Sequence, residues 1–162
     1  MERMETKEYI SVLVLDTPGV LQRVSGLFAR RGYNIDSITV GSSEREGMSR
    51  MIVAARGDDR QIGQICSQLA KLIDVVAVIR LNERPAVARE LMLIKLTITP
   101  EHRLEVQHLI DTFRCSIIDA GTNVLIVQVV GDKEKNDAFL QLVKSYGILE
   151  VTRTGETAMN RG

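Results

Sequence analysis

Residues 9–40 read YISVLVLDTPGVLQRVSGLFARRGYNIDSITV, and this stretch decides the fold. Ile10, Val12 and Val14 alternate with Tyr9, Ser11, Leu13 and Leu15 in a run apolar on both faces, which predicts a central strand covered on at least one side. The chain then breaks at Thr17-Pro18-Gly19. Thr17 suits a helix N-cap and Pro18 the first helical position, where its missing N–H costs nothing; Val20, Leu21, Val24, Leu27 and Phe28 follow at helical spacing. Gly32 suits the left-handed residue that ends a helix, and Asn34 to Val40 reads as a second strand.

The turn carries chemistry as well as shape. A helix start leaves backbone N–H groups unpaired and bears a partial positive charge, so it attracts an anion, and Gly19 removes the side chain that would keep one away. Asp16 stands just before it. An anion site beside a carboxylate fits the two ends of an α-amino acid zwitterion, with its carboxylate on the amides of Gly19 and Val20 and its ammonium near Asp16. The competing explanation is purely structural: Asp16 and Thr17 cap a helix and Gly19 eases a turn.

Outward from this stretch, Gly41 to Gly47 reads as a polar hairpin loop and Arg50 to Ala55 as the returning strand. Gly57-Asp58 then caps a helix with the apolar stripe Ile62, Ile65, Cys66, Leu69, Leu72 and Ile73, and Val75 to Leu81 is a β-branched strand. The order is βαββαβ, the ferredoxin-like unit. After a polar stretch containing Pro85, the pattern returns. Met92, Ile94, Leu96 and Ile98 form a strand; Thr99-Pro100 opens a helix carrying Leu104, Val106, Leu109, Ile110 and Phe113. Ser116 to Asp119 and Val124 to Val130 form a hairpin around Gly121, Gly131-Asp132 starts a helix with Ala138, Phe139, Leu142 and Val143, and Ile148 to Thr152 closes the sheet. The expectation is an α+β chain of two tandem ferredoxin-like domains, 1–81 and 91–162, joined by a linker at 82–90 and ending in a mobile tail from Thr154. In the second copy Glu101 takes the place of Gly19 and Ile98 that of Asp16, so an amino acid is expected at the first domain alone.

Composition narrows the function. Acidic and basic residues number 21 each, which gives no electrostatic reason for nucleic acid, and no apolar run is long enough to cross a membrane. A soluble, cytoplasmic protein is expected, the segment Met1 to Glu8 being too charged for a secretory signal. Cys66 and Cys115 read as small buried hydrophobes. No catalytic constellation or metal site is expected: His102 and His108 fall on different faces of one helix, and no phosphate loop or nucleophile elbow occurs. RNA binding, which the shared βαββαβ order suggests, needs stacking aromatics on the third strand; Arg50 to Ala55 and Val124 to Val130 hold none.

Longer blocks carry a family likeness. Gly19-Val20-Leu21-Gln22-Arg23-Val24, Arg31-Gly32-Tyr33-Asn34-Ile35-Asp36-Ser37, Met48-Ser49-Arg50-Met51, Leu72-Ile73-Asp74-Val75 and Glu90-Leu91-Met92-Leu93-Ile94-Lys95 resemble the small regulatory subunits of acetohydroxyacid (acetolactate) synthase. The likeness extends through Ile117-Ile118-Asp119 and Arg153-Thr154-Gly155 to the Arg161-Gly162 ending. It implies an N-terminal ACT domain binding a branched-chain amino acid, usually valine, and an ACT-like C-terminal domain. It also implies a catalytic large-subunit partner, which the chain activates and makes sensitive to end-product inhibition in valine, leucine and isoleucine synthesis. Thiamine diphosphate, Mg and FAD are then expected on that partner, with no cofactor in this chain. The family's effector site carries over onto Asp16, Thr17, Pro18, Gly19, Val20 and Leu21 with Asn34 and Ile35, the ligand lying between the ACT domains of a homodimer. Many members have an amide where Asp16 stands, and a carboxylate contacts an ammonium more strongly. A free-standing amino-acid sensor acting on another partner is the rival reading.

Overall fold

The run at Tyr9 to Leu15 forms most of β1 (Thr6–Leu15), the strand on which the first half of the chain is assembled. In the computed structural model, residues 6–162 are described. β1 is followed by α1 (Val20–Arg31), β2 (Asn34–Ser42), β3 (Met48–Gly57), α2 (Asp59–Ala70) and β4 (Val75–Arg80). The four-stranded antiparallel sheet has the order β2-β3-β1-β4, so β1 is central and β2 an edge. Ile10, Val12 and Val14 with Met51, Val53 and Ala55 make the sheet side of a core closed by α1 and α2. Asp58 caps α2 in a full capping box with Gln61, as Gly57-Asp58 predicts.

The second half repeats the order with β5 (Ala86–Thr97), α3 (Arg103–Thr112), β6 (Ser116–Ala120), β7 (Val124–Gly131), α4 (Lys133–Val143) and β8 (Ile148–Arg153), in sheet order β6-β7-β5-β8. Met92, Ile94 and Leu96 pack there against Val106, Ile110 and Phe139. The repeat reaches individual bonds. In the first unit Arg80 at the end of β4 makes a bidentate pair with Glu8 of β1; in the second, Arg153 at the end of β8 binds Glu90 of β5. The N–H of Leu15 donates to Asp74 O, and that of Thr97 to Gly147 O.

Four local expectations are corrected. α1 begins at Val20, not Pro18, with Gly19 at the N-cap position; α3 likewise begins at Arg103, behind His102. Leu104 is 84% exposed, because it stands two residues before the buried Val106, about 200° round the helix, and so faces away from the core. The stretch 82–90 is only partly a linker: a 3-10 turn covers Leu81–Glu83 and β5 has begun by Ala86. The tail is not all loose chain, for Thr157–Asn160 forms β9, which pairs with β5, buries Ala158 and is followed by an Arg161 N–H donating to Pro85 O. Thr157–Gly162 thereby belongs to the compact unit that ends at Val87, and Ala88–Glu156 forms the other.

Candidate functional site

Thr17-Pro18-Gly19-Val20 is a type II β-turn: proline occupies its second position, Gly19 its third with φ 83 and ψ 3, and the Val20 N–H reaches Thr17 O at 3.5 Å. Only glycine adopts that φ without strain. The first helical bond, from Arg23 N–H to Gly19 O at 3.0 Å, follows directly. Among the described residues the N–H groups of Gly19, Leu21 and Gln22 have no acceptor, and the first turn of α1 holds no acidic side chain. This is a cluster of free donors at a positive helix end.

The turn is tied down on several sides. Asp16 N–H donates to Gly47 O of the β2–β3 hairpin at 2.9 Å, and Leu15 N–H to Asp74 O at 2.8 Å. The Thr17 hydroxyl, expected to cap α1, donates instead to Asp74 Oδ1 at 3.1 Å, and Arg23 Nε donates to Asp74 Oδ2 at 2.5 Å. Arg23, with help from Thr17, holds the Asp74 carboxyl below the usual carboxylate range despite its partial burial. The hairpin is itself pinned by Arg50, whose fork on Glu44 brings that carboxyl down to about 2.

Beside the turn opens a pocket of about 470 Å³. Its apolar wall is Val14, Leu15, Val20, Leu21, Val40 and Met51, and Asp16, Thr17, Ser49 and Gln22 supply the polar part. Leu15, Leu21 and Val40 remain exposed at its rim. Asp16, Thr17, Gly19, Val20 and Leu21 therefore gather at one place with Pro18 inside the turn, whereas Asn34 and Ile35 lie elsewhere. The register explains this: Ser42 pairs with Ser49 and Leu15 with Met48 at the pocket end of the sheet, while Asn34 pairs with Arg56 at the far end. Asn34 is exposed there, and Ile35 is packed against the first core.

Comparison with known proteins gives the family of the chain. A family model described as AHAS small subunit-like ACT domain matches residues 10–77, and one described as small subunit of acetolactate synthase matches residues 89–162. A Methanothermobacter thermautotrophicus protein named "Probable acetolactate synthase small subunit" is 52% identical over 94% of this chain and 92% of its own length. The acetolactate synthase small subunit of Bacillus subtilis is 42% identical over 96% and 91%. The chain belongs to the acetolactate synthase small-subunit family. The crystal structure of the Thermotoga maritima acetolactate synthase small subunit superposes with a TM-score of 0.90 at 42% identity, covering 97% of this chain and 98% of that one.

The two halves of this small subunit differ where the pocket lies. In the second unit the turn carries Glu101, and the helix start is occupied by a cluster in which Tyr146 Oη donates to Glu105 Oε2 at 2.8 Å while His102 packs edge-on against Tyr146 at 5.3 Å. His102 and His108 are both exposed, and among the described residues no His/Cys/Asp/Glu group is arranged to hold a metal. Cys66 and Cys115 are free thiols packed against the two cores, and burial raises the pKa of each. No helix of the described residues is long and apolar enough to cross a membrane. Sequence reasoning missed Val40, Ser49, Met51, Arg23 and Asp74, because strand register and a contact across 51 residues bring them to the turn, and no local pattern marks them.

Proposed function

We propose that this small subunit binds a branched-chain amino acid, valine foremost, at the start of α1 and passes the occupancy on to its catalytic large subunit. The observation that supports it is the cluster of free N–H groups at Gly19, Leu21 and Gln22 beside an open aliphatic pocket with Asp16 at its edge. The donors suit a carboxylate, Asp16 an ammonium, and Val14, Val40 and Met51 a short branched side chain. Thr17 and Pro18 shape the turn, and Val20 and Leu21 wall the ligand. Glu101 bars the same use of the second unit by repelling a carboxylate.

The first domain also dimerises in this reading, and the C-terminal domain follows it as a second ACT-like unit. β2 is an edge strand with few charges, of the kind that pairs with a second copy. An antiparallel β2–β2 contact would set Asn34 and Ile35 of one protomer beside the Val40 end of the other, bringing these residues to the exposed rim of the pocket. The pair of domains would work in the cytoplasm, where Cys66 and Cys115 remain thiols. Thiamine diphosphate, Mg and FAD belong to the large subunit, where pyruvate is converted.

Reconstitution tests the reading. The chain alone is expected to form no acetolactate from pyruvate; added to its large subunit it should raise turnover, and L-valine should then lower it. Acetolactate made by the chain free of large subunit, or a complex indifferent to all three branched-chain amino acids, would overturn the proposal.

A further inference from the structure

We infer that Arg23 and Asp74 form a latch that sets the geometry of the donor cluster at the start of α1, and so act as positioning residues for the effector. The inference rests on the assignment of the effector to that cluster. Neither side chain lines the pocket, so neither is placed to touch a ligand in it. Both back the turn. Arg23 spans it, donating from Nε to Asp74 and from Nη2 to Pro18 O at 3.3 Å, with Nη1 only 2.9 Å from where a Cβ on Gly19 would stand. Asp74 receives the Thr17 hydroxyl on its carboxylate and the Leu15 N–H on its backbone carbonyl, so the residues on both sides of Asp16 are bound to one position in the α2–β4 loop.

The turn needs such support because its own bonds are weak. Gly19 provides no side-chain cap, and the closing bond from Val20 N–H to Thr17 O is 3.5 Å long, beyond ordinary hydrogen-bond distance. Peptide units held this loosely can rotate, and a donor cluster that must be ordered on binding holds its ligand less tightly than one already in place. The pair is open to solvent on its arginine side, the Arg23 side chain being 45% and that of Asp74 12% exposed, so its part in the stability of the fold is modest. The second unit provides the contrast. Val24 and Val106 are matching buried positions on the first helices of the two units, which aligns Arg23 with Glu105; the shared strand-end bond aligns Asp74 with Gly147. There a carboxylate, bound to Tyr146 and 3.5 Å from His102 Nδ1, replaces the guanidinium behind the turn with Glu101. The arginine latch thus occurs in the unit whose turn leaves the amides free.

Isothermal titration of L-valine into the full-length chain tests this with Arg23→Gln, Asp74→Asn, the double variant, Arg23→Lys and Gly19→Asp. Each of the first two should raise Kd roughly tenfold, as expected for loss of one charge-assisted bond. The double variant should be no weaker than about the worse single one, because the two residues act as one unit. Arg23→Lys keeps the charge without the fork and should fall between these and the wild type. Thermal midpoints should stay near that of the wild type, which separates positioning from a fold defect. Wild-type Kd in both single variants, or losses that multiply in the double one, would overturn the latch while leaving the site intact, provided Gly19→Asp abolishes binding. If Gly19→Asp binds valine like the wild type, the site assignment fails and the latch with it.

Discussion

Gly19→Asp is expected to raise the midpoint of valine inhibition in the reconstituted synthase by about two orders of magnitude or more, the loss of two charge-assisted hydrogen bonds. The substitution acts in two ways. Its carboxylate would take the donors proposed for the ligand, at the positive end of α1. Its Cβ would also press on Arg23 Nη1, from a backbone at φ 83 that costs a non-glycine residue about 1 kcal/mol or more. The fold should persist, because Val20, Val24, Leu27 and Phe28 still anchor α1 in the core. Inhibition is a coupling between effector and catalytic subunit, so the variant should still activate its partner while escaping valine. Glu101→Asp, at the matching turn of the second unit, should leave the midpoint where it was. A Gly19→Asp enzyme inhibited at the wild-type midpoint would mean that the ligand is not at this helix start.

Glu90→Ala should produce the largest loss of stability, about 3 kcal/mol or more, the range for breaking a buried ion pair from one side. Glu90 is 4% exposed and its Oε1 accepts from Arg153 Nε and Nη2 at 2.9 and 2.6 Å and from Asn136 Nδ2 at 3.2 Å. Asp137 retains Arg153 at 2.7 Å, so the arginine keeps one partner while Asn136, fully buried, keeps only the Glu90 carbonyl. The matching change in the first unit, Glu8→Ala, should cost less, because the Glu8 side chain is 12% exposed against 5% for Glu90, and the Glu90 carboxylate also serves the buried Asn136. Urea unfolding of both variants measures this. A Glu90→Ala chain within about 1 kcal/mol of wild type would contradict it.

Where a signal is local, the sequence was a sound guide to this molecule. Alternation at Ile10, Val12 and Val14 identified β1, and Asp58 and Asp132 were read correctly as caps of α2 and α4, each accepting a backbone N–H three residues on. The doubled βαββαβ order followed from such signals. Reading failed where a distant partner decides the outcome. Thr17 resembles a cap by its neighbours, yet its hydroxyl is claimed by Asp74, and the turn that results moves the helix start two residues on. Residues 157–160 hold one buried side chain, Ala158, too weak a pattern to reveal a strand whose partner lies some seventy positions earlier. The site divides the same way: Asp16 to Leu21 is contiguous and legible, whereas Val40, Ser49 and Met51 reach the pocket only through the register of β2 and β3.

A crystal structure of the chain grown with L-valine should show a dimer through β2, with the valine carboxylate on free N–H groups among Gly19, Leu21 and Gln22, the ammonium beside Asp16, the isopropyl group over Val14 and Met51, and Asn34 of the partner subunit closing the pocket. Valine bound away from the α1 start, valine at the Glu101 turn, or a chain that remains monomeric with its first pocket filled would contradict it.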